Sequence, residues 1–95
     1  MELLTLVIYD IEDDRVRLRI SEICKDYGLE RIQYSAFAGN LNKNKREELF
    51  LKLSKTIGNQ VAKIIIQPLC EKDVRDQKII VNEKTIGAVE NGDAG

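Results

Sequence analysis

The sequence has 95 residues, of which 43% are hydrophobic, enough for one small domain that buries only part of its surface. Its 15 basic and 16 acidic residues give a net charge of −1, which excludes binding to nucleic acid through an overall positive field and requires a local basic patch instead. The sequence contains no histidine, so an enzyme built on it is expected to use carboxylates and a metal ion.

The chain begins with a pattern typical of a strand followed by a helix. Leu3 to Tyr9 is a continuous apolar run that predicts a buried strand, and Asp10 stands at its C-terminal end, at the start of an acidic loop. A helix follows from Arg15, with Asp13 or Asp14 as its N-cap and Gly28 as its C-terminal stop. Apolar residues recur at helical spacing, namely Val16, Ile20, Ile23, Cys24 and Tyr27.

The middle of the chain predicts two strands, a helix and a further strand. Residues 30–41 contain β-forming residues without helical periodicity and predict two short strands hinged near residues 33–35. Asn42 or Asn44 is expected to cap the second helix, and Gly58 to end it. Val61 to Leu69 predicts a strand that stops at Pro68. The residues of the second helix expected to face the core are Leu49, Phe50, Leu53 and Ile57.

This order, β-α-β-β-α-β, predicts an α+β, ferredoxin-like domain over residues 1–82, with two helices on one face of an antiparallel sheet. Lys78 to Val81 are expected to form an extra C-terminal strand, and residues 83–95 a flexible tail. The sheet face without helices is apolar and is expected to be buried against a second copy of the chain. We therefore expect a homodimer.

The cysteines and the hydropathy pattern suggest the compartment. Cys24 and Cys70 lie far apart without a metal-binding or redox spacing, which is typical of reduced thiols. No apolar run has the length of a membrane span. A cytoplasmic protein without membrane contact is expected.

Candidate functional residues cluster around the first strand and helix. Asp10 fits either a metal ligand or a residue that caps the loop or the next helix. Arg15, Arg17 and Arg19 surround the first two turns of the helix and form either a phosphate-binding patch or a solvated basic face. Tyr34 and Phe37 fit either stacking on bases or a place in the core.

Five segments, in order and together, resemble the family called CRISPR-associated protein 2 over residues 3–70. The hydrophobic-Tyr-Asp strand end together with the Arg-x-Gln-Tyr-Ser-x-Phe motif is the most specific part of the pattern. The segments are Tyr9-Asp10-Ile11, the Asp13-Asp14 pair, Tyr27-Gly28-Leu29, Arg31-Ile32-Gln33-Tyr34-Ser35-Ala36-Phe37 and Ile66-Gln67-Pro68-Leu69-Cys70.

This resemblance implies a ferredoxin-like homodimer with one Mg²⁺ or Mn²⁺ ion held between the two Asp10 carboxylates. It implies a metal-dependent endonuclease that cleaves RNA or double-stranded DNA and acts in spacer acquisition together with the integrase subunit. The implied catalytic residues are Asp10, Tyr9, Arg17, Arg19, Arg31 and Phe37. Together with the basic pattern of the first helix, the resemblance gives the expected nucleic-acid-binding residues, which are Arg15, Arg17, Arg19, Arg31 and Ser35.

Two other functions fit the same residues. One is a non-catalytic DNA-binding scaffold in spacer integration, and the other is a toxin-type ribonuclease of the virulence-associated protein D kind, which resembles the same fold.

Overall fold

The computed structural model describes residues 1–82, and the expected tail at 83–95 lies outside these residues. The predicted order of strands and helices is confirmed, with one additional short helix at the end. The elements are β1 (Glu2–Ile11), α1 (Asp14–Asp26), β2 (Glu30–Gln33), β3 (Ala36–Asn42), α2 (Lys43–Ile57), β4 (Ala62–Leu69) and α3 (Glu71–Asp76).

The four strands form one antiparallel sheet in the order β2-β3-β1-β4. β1 lies inside the sheet, between β3 and β4, and its Val7 is aligned with Phe37 on one side and Ile66 on the other. Since α1 and α2 pack on the same face of this sheet, the predicted ferredoxin-like α+β architecture is confirmed.

The capping residues predicted from the sequence lie at the ends of both long helices. Asp13 caps α1 by accepting a hydrogen bond of 3.0 Å from the backbone N–H of Val16. Asn42 caps α2 by accepting one of 2.8 Å from Lys45. After α1, Gly28 adopts a φ of 81°, a backbone conformation that residues with a Cβ rarely adopt.

The hydrophobic core lies between the sheet and the helices. β1 contributes Val7, Tyr9 and Ile11, every second residue, as expected for a strand with one face against the helices. The remaining buried members of the cluster are Ile20, Ile23 and Cys24 of α1, Leu29, Phe37 and Leu41 around β3, and Leu49 and Leu53 of α2.

Two predictions about these elements were wrong in detail. Phe50 was expected in the core but is 57% exposed, because it lies one residue off the stripe formed by Leu49 and Leu53. Asp10 was expected at the start of the acidic loop that follows β1, but β1 continues to Ile11 and pairs Asp10 with Lys63.

The C-terminal part of the described chain also differs from the prediction. Pro68 lies within β4 instead of ending it, which is possible because β4 is an edge strand. The helix α3 follows, in a connection where no helix was predicted. Lys78 to Val81 form no strand in the single chain, and Ile80 is 94% exposed. Pairing of this segment with a second chain stays a prediction.

Within residues 1–82, no helix combines the length and the apolar character needed to cross a membrane.

Candidate functional site

Tyr9 and Asp10, the two adjacent residues at the end of β1, face opposite sides of the sheet. Tyr9 is 4% exposed beneath the helices, whereas Asp10 is exposed on the face that carries no long helix. Successive side chains of a strand point to opposite faces, so the expected catalytic residues do not form one cluster within a single chain. Tyr9, Arg17 and Arg31 form a group on the helix side of the sheet, and Asp10 lies on the other side.

The group on the helix side lines a cleft of about 220 Å³ between the start of α1 and the β2–β3 hairpin. We call it the α1–β2 cleft. Three of the expected site residues, Tyr9, Arg17 and Arg31, meet here although they are distant in sequence. The complete lining is Tyr9, Asp14, Arg17, Leu18, Ser21, Arg31 and Tyr34.

Arg17 is held in position by contacts on several sides. One of its terminal nitrogens donates a hydrogen bond of 2.8 Å to the carbonyl of Ile11, and the other forms an ion pair with Asp14. Its guanidinium carbon lies 5.6 Å from the centroid of the Tyr34 ring. A guanidinium fixed in this way is oriented before any ligand binds.

Arg31 is fixed from the opposite wall. It donates a hydrogen bond to the carbonyl of Tyr34, and its guanidinium lies 4.8 Å from the centroid of the Phe37 ring. Because Phe37 is fully buried, it belongs to the core and supports Arg31 from below, and it is not available to stack on bases. Tyr34 is 72% exposed and keeps that possibility open.

Tyr9 lines the α1–β2 cleft, and its hydroxyl is buried. The Arg31 guanidinium lies near enough to act on this hydroxyl as a donor, but within residues 1–82 no group accepts a hydrogen bond from it, which is uncommon for a buried polar group. Burial raises the pKa of Tyr9, and the nearby Arg31 guanidinium offsets this effect only in part. The hydroxyl therefore keeps its proton at neutral pH and remains a donor.

Asp10 lies on the opposite face of the sheet. We call this surface the helix-free face; the large apolar residues that β1 and β4 place on it are Leu4, Leu6, Ile8, Ile65 and Leu69. Ile8 and Ile65 are aligned in neighbouring strands, and each is 43% exposed. Asp10 and Lys63 are the next aligned pair on the same face.

A divalent metal is the group that the family resemblance implies here, so the ligands available to it matter. Among residues 1–82, no three or more His, Cys, Asp or Glu side chains lie together in a way that could hold a metal ion. Asp10 offers one carboxylate per chain, with a lysine beside it. Mg²⁺ is usually bound by one or two carboxylates, water and phosphate, so the residues fit this ion when a second Asp10 is supplied by another chain.

The other expected binding residues lie outside the α1–β2 cleft. Arg15 and Arg19 are exposed on α1 and do not line it. Ser35 is half-buried, and its carbonyl accepts a hydrogen bond of 3.0 Å from the backbone N–H of Tyr9. The prediction missed Ser21, although its position four residues after Arg17 on the same helix could have indicated it.

Comparison with known proteins identifies two informative relatives. The chain is 53% identical over 76 residues to the CRISPR-associated endoribonuclease Cas2 of Desulforudis audaxviator, covering 80% of this chain and 72% of that protein. It is 35% identical over 66 residues to a CRISPR-associated endonuclease Cas1/endonuclease Cas2 fusion of Thermoproteus tenax, covering 70% of this chain and 25% of the fusion.

The comparison with solved structures and with family models agrees with these sequence relatives. The crystal structure of Streptococcus pyogenes Cas2 matches with a TM-score of 0.67 at 25% identity, covering 83% of this chain and all of that one. The family model for CRISPR associated protein Cas2 matches residues 1–77. The chain therefore belongs to the CRISPR associated protein Cas2 family.

Proposed function

We propose that the protein is a homodimeric, metal-dependent endonuclease that hydrolyses phosphodiester bonds in RNA or double-stranded DNA during spacer acquisition. The observation that carries this proposal is the position of Asp10, an exposed carboxylate directly beside the apolar part of the helix-free face. A second copy packed on that face brings a second Asp10 close to the first.

The exposure of the apolar side chains supports a dimer centred near Ile8 and Ile65. At the other end of the helix-free face, Leu4 and Leu69 are half-buried and share a groove with Val74 of α3. The part left most open is therefore the end next to Asp10. Burial of exposed apolar surface favours association, and a second copy supplies a matching apolar face.

Two Asp10 carboxylates, one from each protomer, would hold one Mg²⁺ or Mn²⁺ ion. When bound, such an ion would supply activation of water at neutral pH and stabilisation of negative charge on the phosphate, chemistry that needs no histidine. The exposed Arg15 and Arg19 are available to bind the nucleic-acid backbone.

The expected site residues on the helix-covered face of the sheet have a different role from Asp10 in this proposal. Tyr9, Arg17 and Arg31 are separated from Asp10 of the same chain by the sheet, and Phe37 is buried. We assign the two arginines, with Ser35 nearby, to binding and orienting nucleic acid, and Phe37 to supporting Arg31.

The names of the relatives support both the activity and a partner. The relative from Desulforudis audaxviator is named as an endoribonuclease, which favours RNA as a substrate. The fusion protein joins Cas1 and Cas2 in one chain, which supports the Cas1 integrase subunit as a partner. Membership of the Cas2 family favours a role in CRISPR adaptation over the toxin-type ribonuclease.

A non-catalytic scaffold that binds DNA in the integration complex is the second candidate. One observation favours it: each chain offers a single carboxylate with Lys63 aligned beside it, a weak site for a metal ion. The cleavage assay separates the two candidates.

The test is hydrolysis of labelled single-stranded RNA and duplex DNA, with Mg²⁺ or Mn²⁺, by the wild type and by Asp10→Ala. Asp26→Ala, which removes an exposed aspartate at the end of α1, is the matched control. We expect cleavage by the wild type and the control, none by Asp10→Ala, and dimers throughout. Cleavage retained in Asp10→Ala would refute the assignment of this residue. A wild type that binds duplex DNA without cleaving either substrate would establish the scaffold.

A further inference from the structure

The α1–β2 cleft has the features of a preformed site for a small anion. Two guanidinium groups, those of Arg17 and Arg31, line it, and so does Tyr9, whose buried hydroxyl has no acceptor within residues 1–82. A buried donor without a partner is uncommon in a folded protein and calls for an acceptor. A bound anion is an acceptor that this cleft can admit.

The charge of the cleft favours an anion even though Asp14 also lines it. The side chain of Asp14 is 87% exposed, so water screens its charge, whereas the side chain of Arg17 is only 23% exposed. The two arginines and one aspartate leave a formal charge of one positive unit. Each guanidinium has five N–H groups, and the contacts to Ile11, Glu12, Asp14 and Tyr34 leave some of them free.

We propose that the α1–β2 cleft binds the terminal phosphate of a single-stranded nucleic acid through the Tyr9 hydroxyl and the guanidinium groups of Arg17 and Arg31. The inference rests on the proposed function only in taking nucleic acid as the ligand, and it does not depend on cleavage or on a metal.

The depth of the cleft is the reason for choosing a terminal phosphate. Tyr9 is 4% exposed, so a group that reaches its hydroxyl must project beyond the rest of its own molecule. A phosphate at the end of a strand projects in this way and carries more charge than an internal one, whereas an internal phosphodiester is flanked by a sugar on each side. Tyr34, at 72% exposure, offers an aromatic surface for the terminal base at the rim.

The test compares the binding of RNA oligonucleotides that carry a 5′-phosphate, a 3′-phosphate or neither, in EDTA, so that no metal-dependent cleavage occurs. Inorganic phosphate and adenosine monophosphate are titrated in parallel. Tyr9→Phe removes one hydroxyl from the cleft, and Tyr27→Phe is the matched control because its hydroxyl bonds to Glu48 outside the cleft.

We expect the wild type and Tyr27→Phe to bind at least one of the two phosphorylated RNAs about tenfold more tightly than the unphosphorylated RNA. This preference is about what one hydrogen bond to a charged group contributes. Tyr9→Phe should lose most of this preference, and so should Arg31→Gln. Asp10→Ala should keep it, even if the proposed nuclease activity proves absent. Equal affinity for all three oligonucleotides, an unchanged preference in Tyr9→Phe, or inorganic phosphate binding as tightly as the RNA end would overturn the proposal.

Discussion

The replacement of Ile65 by serine tests whether the helix-free face is the dimer interface. Ile65 is 43% exposed in the single chain and lies beside the Asp10 and Lys63 pair. Complete burial of an isoleucine side chain contributes about 1.5–3 kcal/mol, so burial of the part still exposed contributes roughly 0.6–1.3 kcal/mol. Each dimer contains two copies, and the variant should therefore weaken the dimer by roughly 1.3–2.6 kcal/mol.

This loss corresponds to a dissociation constant raised roughly 8- to 70-fold, since about 1.4 kcal/mol changes an equilibrium constant tenfold. Sedimentation velocity over a concentration series measures the constant, and circular dichroism checks that the variant is folded. Leu51→Ser is the control, because Leu51 is 61% exposed on α2, in the layer on the opposite side of the sheet. A monomeric wild type, or a folded Ile65→Ser dimer as stable as the control, would refute the proposed interface.

Two further predictions concern Asp10 and the cysteines. Lys63→Ala removes the ammonium group that is aligned with Asp10, and this positive charge opposes the binding of a cation. In calorimetry, Mn²⁺ should therefore bind the dimer about 2- to 30-fold more tightly, the effect of one exposed charge pair in each protomer. Unchanged or weaker binding would contradict the placement of the metal ion at Asp10. Burial raises the pKa of Cys24 to about 11, whereas Cys70 is exposed. Iodoacetamide at about pH 8, well below that pKa, should therefore modify only Cys70 in the folded protein, and equal labelling of both thiols by mass spectrometry would argue against this burial.

Elements whose signals are local could be predicted from the sequence. The helix α1 was predicted because its apolar residues repeat at helical spacing and Asp13 and Gly28 mark its ends. The short helix α3 was missed, since six residues give too few turns for a periodic pattern. Phe50 was misplaced because it lies next to Leu49, at the edge of the same apolar stripe, and the sequence does not show how wide the buried part of that stripe is.

The candidate site could be predicted only in part, because its geometry depends on contacts between distant segments. β1 is apolar on both faces, so its sequence does not show which alternate residues face the helices. Tyr9 and Asp10 were expected at one site because the family resemblance implies both as catalytic residues, although neighbouring residues of a strand point to opposite faces. The α1–β2 cleft brings Arg17 and Arg31 together across the start of a helix and a hairpin, and no periodic pattern in the sequence links these two residues.

The placement of Tyr9 and Asp10 on opposite faces also has a consequence for how this strand can change over generations. A substitution at either residue alters one face and leaves the other intact, so a change at Asp10 alters the proposed metal site and leaves the α1–β2 cleft unchanged. An insertion or deletion of one residue within β1 before Tyr9 would turn both side chains to the wrong faces at once. We therefore expect homologues to vary in the identity of Asp10 more readily than in the number of residues between Leu3 and Tyr9.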